Sequence, residues 1–294
     1  MNYAITFESG RVMLYRRGEG IIVNEPIPIA LSAEFLADIL KDNIILHQDV
    51  LVAVPSSFDE TNLREIKALL YAVGFGEVSF VKSVLAGAFA LGADFEPALL
   101  AINLTENWTD FGFVSNFEIK DGGTIEEGGE ALTDAIKNYI EEKKKAKLTD
   151  ADAKLIREET ATLIKRDQIS VSVMAASGED SRAGAGEVSG AGEKTQIVIT
   201  GEDTIEAILP YYNKVAGIGL EMLGEAPIEE ANEVRKGRVF VFGTGSQTAG
   251  LKEFLESRFS CGVVLNEDSL NAVITGAGAL LTEPRILNKL IKLN

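Results

Sequence analysis

The sequence predicts an α/β protein built from two related domains that face a cleft. A pattern of three strands followed by alternating helices and strands occurs twice, first over residues 3–91 and again from Ala98. The strand-like run 238–242 stops at Gly243-Thr244-Gly245 and an amphipathic helix follows, an arrangement that builds a crevice at the end of a sheet. At 294 residues the chain can fill two domains of medium size.

The first half is predicted from alternating apolar residues, turn residues and helix caps. Its predicted elements are, in order, three strands within residues 3–25, a short helix capped by Ser32, a strand at 50–54, a helix from Ser56 or Ser57 to Gly74, a strand at 77–81 and a helix from Ser83 to Leu91.

The second half repeats this order and adds a hairpin. Its predicted elements are strands at 98–102, 111–114 and 117–119, helices at 129–144 and about 150–165, a hairpin pairing 169–174 with 196–200, a helix at about 203–223, and the strand and helix on either side of Gly243. The hairpin connection, residues 175–194, is rich in Gly, Ala and Ser and is expected to be mobile.

Composition excludes several classes of function. The net charge of −17 argues against nucleic-acid binding and against polybasic docking on anionic lipid. His47 is the only histidine, so histidine-based triads and multi-histidine metal sites are excluded, and we expect no metal site. Cys261 is the only cysteine, which suits a reducing compartment. With neither an export leader nor an apolar run near the ~18 residues of a membrane span, a cytoplasmic protein is expected.

Four blocks of the chain resemble MreB-like bacterial actins, in the same order and over nearly the whole length. The blocks are Arg17-Gly-Glu-Gly-Ile-Ile-Val-Asn-Glu-Pro26, Val50-Leu-Val-Ala-Val-Pro55, Glu127-Gly-Gly-Glu-Ala-Leu-Thr-Asp-Ala-Ile136, and Val241-Phe-Gly-Thr-Gly-Ser246 continued by residues 263–273. The resemblance implies an actin-like fold of two ribonuclease-H-like domains.

The resemblance also implies domain boundaries. Residues 1–96, with a C-terminal helix at about 268–294, would form the first domain, and residues 97–267 the second, including a small subdomain at about 147–202. Between Pro28 and Val50 there is room for only one helix, so the first small subdomain is expected to be absent or greatly reduced.

ATP-binding relatives hold phosphates and magnesium on two hairpin turns, each carrying an Asp followed by glycines and a Thr or Ser. Here Thr6 and Asn103 stand at the two Asp positions, Glu8 at the first glycine, and Trp108 at a Thr. A carboxylate repels a triphosphate. The residue that would orient the attacking water aligns with Lys82 or its neighbour Ser83, and neither replaces a carboxylate. We therefore expect no ATP hydrolysis and no cofactor, with ATP or ADP and magnesium as the alternative.

Two interpretations of these charges stay open. Glu8 and Lys82, with Arg11 and Glu106, could fill the phosphate space with a salt-bridge network, because the fold places opposite charges at facing positions. Independent solvated charges are the alternative.

The positions that contact ribose and base in relatives are better matched. They are Gly129, Glu130, Arg157, Glu158, Gly243, Thr244 and Gly245. These residues either retain a nucleoside site or, as we prefer for the glycines, serve helix–strand packing.

Ile44-Ile45-Leu46 aligns with a loop that inserts into membrane in MreB-like proteins. Packing under the sheet is the equal alternative. The function predicted from the resemblance is that of a non-catalytic cytoskeletal or scaffold protein of bacterial cell shape or envelope organisation. It would self-associate, contact envelope proteins and lie in the cytoplasm or at the inner face of the membrane. The alternatives are an ATP-dependent filament with divergent loops and a monomeric or dimeric adaptor.

Overall fold

The computed structural model describes residues 1–28, 30–164, 170–177 and 194–293. The first half of the molecule, residues 3–91, contains a five-stranded sheet in the order β3-β2-β1-β4-β5. Its strands are β1 (Tyr3–Thr6), β2 (Arg11–Arg16), β3 (Gly20–Pro26), β4 (Val50–Val54) and β5 (Val78–Lys82). The first three strands are antiparallel, and β4 and β5 run parallel to β1. All five predicted strands are confirmed.

Two helices cover the outer face of this sheet. Helix α1 (Ala33–Leu40) begins at Ser32, whose hydroxyl accepts from the Phe35 N–H, as predicted. Helix α2 (Glu60–Val73) ends at Gly74 in the left-handed conformation, also as predicted. The predicted start of α2 at Ser56 or Ser57 is wrong.

Asp59, not a serine, caps α2, because its carboxylate accepts from the N–H groups of Thr61 and Asn62. The backbone and hydroxyl of Ser56 are already bonded to Asp110 on another strand, so this residue belongs to a tertiary contact.

The second half, residues 98–264, repeats the sheet with the order β13-β12-β6-β7-β8. Its strands are β6 (Ala98–Leu104), β7 (Thr109–Ser115), β8 (Glu118–Ile125), β12 (Val239–Phe242) and β13 (Val263–Val264). Again three strands are antiparallel, and β12 and β13 are parallel to β6. The predicted repetition of one pattern is therefore confirmed at the level of strand order and direction.

The outer side of the second sheet carries several helices and a small sheet. They are α4 (Gly129–Lys144), α5 (Asp150–Thr160), α6 (Gly201–Glu225), α7 (Ile228–Val234), α8 (Leu251–Phe259), and the small sheet of β9 (Ala146–Lys147), β10 (Ser170–Ser177) and β11 (Lys194–Thr200). The predicted hairpin is confirmed. Helix α5 ends at Thr160, short of the prediction, and α7 was not predicted. The connection predicted to be mobile lies mostly outside the described residues.

Helices α3 (Ser83–Ala90) and α9 (Ala272–Leu280) lie between the two sheets. Small residues let these helices approach closely, since a Cβ added at Gly276 would lie 1.8 Å from the Ala86 carbonyl oxygen. The predicted C-terminal helix is two helices, α9 and α10 (Pro284–Leu293), preceded by a short 3-10 turn. Between β3 and β4 the described residues form one helix, α1. The domain boundaries and the reduced subdomain stay predictions.

We expect Gly276→Ala to lower the free energy of unfolding by about 1–3 kcal/mol, because the new methyl group would force α3 and α9 apart. Urea denaturation measures this. Gly217→Ala is the matched control: Gly217 lies in α6 with nothing within 4 Å of the added Cβ. This control should be neutral or stabilise the protein by up to about 1 kcal/mol through helix propensity. Equal effects at the two positions would contradict the close packing.

Candidate functional site

Three turns meet in the cleft between the two sheets. They are the β1–β2 turn (residues 7–10), the β6–β7 turn (residues 105–108) and the segment after β12 (residues 243–247). The Ser9 hydroxyl joins all three, because it lies 3.3 Å from the Thr244 hydroxyl oxygen and accepts from the Glu106 N–H at 3.4 Å. The carboxyl ends of β1 and β4 and of β6 and β12 point to this place, where α/β proteins bind ligands.

Glu8 projects into the protein and not into solvent. Its side chain is 5% exposed, and its carboxyl oxygen accepts a hydrogen bond from Asn103 Nδ2 at 3.0 Å. Burial, together with the charge of Asp110, raises the pKa of Glu8 to about 8, while hydrogen bonds from Asn103 and Ser83 oppose the change. Two of the residues predicted to differ from a phosphate site, Glu8 and Asn103, thus bond to each other.

Asp110 was missed by the sequence reasoning and lies at the centre of the site. This fully buried carboxylate accepts from Ser83 Oγ and Thr124 Oγ1, both at 2.9 Å, and from the Ser56 N–H at 3.0 Å. Burial raises its pKa, although these hydrogen bonds lower it. The signal in the sequence was an Asp directly before the apolar run of a predicted strand. When such a strand is buried, the Asp carboxylate needs hydrogen-bond donors.

Lys82 does not pair with Glu8, so the predicted salt-bridge network is wrong. The ammonium group donates to the carbonyl oxygens of Pro55, Ser56 and Phe58 at 3.2–3.4 Å. Burial lowers the pKa of Lys82, while the charge of Asp110 opposes the change. Lys82 therefore fixes the segment after β4.

The other two members of the predicted network also pair elsewhere. Arg11 donates to the side chain and backbone of Asn24. Glu106 accepts two hydrogen bonds from Arg157, at 2.9 and 3.1 Å. The alternative of independent solvated charges fails as well for Glu8, because its side chain is buried.

Three polar side-chain atoms at the phosphate-turn positions are buried. The hydroxyl of Thr6, the side-chain oxygen of Asn103 and the indole N–H of Trp108 have no hydrogen-bond partner among the residues that the structure describes. The backbone carbonyl of Trp108 accepts from Thr105 Oγ1 at 2.8 Å, which closes the β6–β7 turn.

Most of the predicted nucleoside-side residues line one cavity of about 310 Å³. Its walls are formed by Glu106, Gly129, Leu132, Arg157, Glu158, Ala161, Thr244, Gly245, Gln247 and Thr248. Two predicted residues lie beside it: Glu130 lines a neighbouring depression with Asn107 and Asp134, and Gly243 lines another with Glu8 and Ser9.

A side chain at either of two glycines in or beside this cavity would clash with neighbouring atoms. Gly243 has φ of 90°, and a Cβ there would lie 2.4 Å from the Leu104 carbonyl oxygen. At Gly129 a Cβ would lie 2.4 Å from both Arg157 Nη1 and Glu106 Oε2. The preferred interpretation of these two glycines, close packing, has a direct physical cause.

The residues present do not fit a nucleotide triphosphate with its metal. On the nucleoside side, the Gly129 and Glu130 N–H groups at the start of α4 donate to the carbonyls of Thr105 and Glu106, at 2.9 and 2.8 Å. The Glu106 N–H is bonded to Ser9, and the Glu8 carboxyl lies alongside. No group of three or more His, Cys, Asp or Glu side chains able to hold a metal ion occurs in the described part of the chain.

Comparison with known proteins assigns the family. Residues 19–289 match the family model described as MreB/Mbl protein. The chain belongs to the MreB/Mbl family. Cell shape-determining protein MreB of Escherichia coli is 19% identical to this MreB/Mbl protein, over 95% of this chain and 92% of its own.

Two solved structures show that this MreB/Mbl protein has the actin-like fold. MreB5 of Spiroplasma citri bound to AMPPNP has a TM-score of 0.83 at 19% identity, covering 98% of both chains. The MamK double helical filament has a TM-score of 0.73 at 13% identity, covering 95% of this chain and 97% of the MamK chain. The predicted actin-like fold and the MreB-like resemblance are therefore confirmed.

The stability of the protein is expected to fall as the pH rises from about 4.5 to about 8, because Glu8 has a pKa raised from 4.5 to about 8 and binds more protons in the folded state. Glu8→Gln should remove this contribution. The variant should gain stability relative to the wild type as the pH rises through this window, by a few kcal/mol at about 1.4 kcal/mol for each unit of pKa difference. Urea denaturation across the same pH range measures the difference.

Glu127→Gln is the control, since Glu127 is a partly exposed carboxylate 2.6 Å from Lys214. The free energy of unfolding of Glu127→Gln should change with pH nearly as that of the wild type does. The raised pKa of Glu8 would be contradicted if the free energy of unfolding of Glu8→Gln also followed the pH dependence of the wild type.

Proposed function

We propose that this MreB/Mbl protein is a non-catalytic, self-associating cytoskeletal or scaffold protein of cell shape or envelope organisation that has lost ATP hydrolysis and ATP binding. The observation that carries the proposal is the hydrogen bond between Glu8 and Asn103, since both residues stand where ATP-binding relatives contact phosphate and metal. A buried carboxyl in this place leaves no electrostatic attraction for a triphosphate.

The proposed role rests on family membership and on the fold. The Escherichia coli relative is named a cell shape-determining protein, and the structurally similar MamK forms a double helical filament. The same proposal places the protein in the cytoplasm, where it would contact envelope proteins and the inner face of the membrane.

One observation favours an ATP-dependent filament instead. MreB5, which shares the fold, is bound to AMPPNP, and the cavity beside Gly129 is large enough at about 310 Å³ to hold a nucleoside. The pair of Arg157 and Glu106 lies at the edge of this cavity. A monomeric or dimeric adaptor is the third candidate.

Calorimetry with ATP and magnesium distinguishes these candidates. We expect no binding heat and no thermal shift, because the buried Glu8 carboxyl occupies the phosphate end of the cleft and is bonded to Asn103. Adenosine is the matched probe. Because it has no phosphates, it tests only the cavity of about 310 Å³. Micromolar affinity for ATP would overturn the proposal. Filaments in negative stain without nucleotide would support the scaffold, and a monomer at all concentrations would favour the adaptor.

The candidate membrane-contact loop, Ile44-Ile45-Leu46, presents two exposed apolar side chains, as shallow insertion requires. Ile45 and Leu46 are 64% and 61% exposed, whereas Ile44 packs against the core of the first half. The loop lies against the end of α2, where Gly74 accepts from the His47 N–H and Tyr71 is 46% exposed. Among the described residues, no helix has the length and apolar character needed to cross a membrane.

We expect Ile45→Asp to reduce sedimentation of the protein with phospholipid vesicles, because inserting Ile45 contributes ~1.5–3 kcal/mol. Ile228→Asp is the control, since Ile228 is 75% exposed at the start of α7 on the other half of the molecule. Equal sedimentation of wild type and Ile45→Asp would remove the membrane contact from the proposal.

A further inference from the structure

Hydrogen bonds between side chains cross the cleft in both directions. Glu8 in the first half accepts from Asn103 in the second at 3.0 Å. Asp110 in the second half accepts from Ser56 and Ser83 in the first, at 2.9–3.2 Å. Each half thus supplies one buried carboxyl group and donors for the carboxyl of the other half.

A third crossing is made by the Ser9 hydroxyl. It reaches Thr244 and the Glu106 N–H, both in the second half. This hydroxyl therefore links the β1–β2 turn to two segments of the second half. The crossing contacts therefore extend from the buried carboxyls to the rim of the cleft.

The donors of the first half are held in place by their own contacts. Lys82 binds the carbonyls of Pro55, Ser56 and Phe58, which aims the Ser56 N–H at Asp110. Ser83 is the first residue of α3, and its hydroxyl is buried. Hydrogen bonds to an ionised acceptor are stronger than neutral ones, and a pre-aligned donor loses little entropy on forming them.

We propose that these side chains form a clasp that holds the two halves of the cleft together and takes the place that a bound nucleotide would occupy as the bridge between them. The clasp consists of Glu8–Asn103, Asp110 with Ser56 and Ser83, and Ser9 with Thr244 and Glu106. The inference rests on the proposed loss of ATP binding. Its consequence is a cleft that is closed at all times, so that the conformation offered to other subunits does not depend on ATP.

The test measures the distance between the two halves by pulsed electron paramagnetic resonance. Spin labels are placed at Glu34→Cys on α1 and Asn138→Cys on α4, both exposed, in a Cys261→Ser background that removes the only native cysteine. Without nucleotide the labelled protein should show a single narrow distance distribution, and ATP with magnesium should not change it.

Breaking the clasp should broaden this distribution and shift it to longer distances. The variants are Asn103→Leu with Asp110→Asn, and separately Ser9→Ala, a smaller change that keeps the test usable if the double variant does not fold. Thr204→Val is the matched control, because the Thr204 hydroxyl bonds only within the second half, to the carbonyls of Thr160 and Gly201. Its distribution should match that of the unmutated protein.

Two results would overturn the clasp. One is a broad distribution in the unmutated protein without nucleotide, and the other is an unchanged narrow distribution in folded clasp variants. Calorimetry on the same samples separates this inference from the proposed function. A narrow distribution in a protein that nevertheless binds ATP contradicts the proposed function alone, whereas a broad one in a protein that binds no ATP contradicts the clasp alone.

Discussion

Asp110 has no exposed surface, and the cleft is arranged to supply this buried carboxylate with hydrogen-bond donors. An unpaired buried charge costs far more free energy than a single hydrogen bond returns, so the donors have to converge on it. One comes from the segment after β4, one from the start of α3 and one from β8. The late start of α2 and the orientation of Lys82 follow from the same requirement, because both keep the Ser56 N–H directed at Asp110.

The repeated sheet could be predicted because its strands are short apolar runs separated by turn residues, and this periodicity is local information. The start of α2 could not. Ser56 and Ser57 are good helix caps by residue type, but the partner of Ser56 is Asp110 on a strand of the other half. Asp59 offers the same capping chemistry three residues later than Ser56, and the sequence alone does not say which residue is free to use it.

Within the site, the unusual residues could be identified from the sequence, but the partners predicted for them were wrong. Lys82 is the last residue of β5 and Ser83 is the first residue of α3, and their side chains have different partners. The Ser83 hydroxyl reaches Asp110, and Lys82 turns to backbone carbonyls. Opposite charge at facing positions predicted a Glu8–Lys82 pair, but side-chain direction decided against it. Asp110 escaped notice because β7 begins at Thr109, two residues before the predicted strand, which placed the Asp in a turn.

The glycines show why matching family positions do not imply a retained ligand. A Cβ at Gly243 would clash with the backbone carbonyl of Leu104, and one at Gly129 would displace the ends of the Glu106 and Arg157 side chains. Glu106 makes two of the contacts around this cavity. Its backbone carbonyl accepts from an N–H at the start of α4, and its carboxylate accepts from Arg157. The first N–H groups of α4, on the nucleoside side of the cleft, thus bond to the chain itself. In this actin-like cleft Glu8, Asn103, Asp110 and Ser83 bond to one another, which is why the proposed function rests on association between proteins and not on hydrolysis.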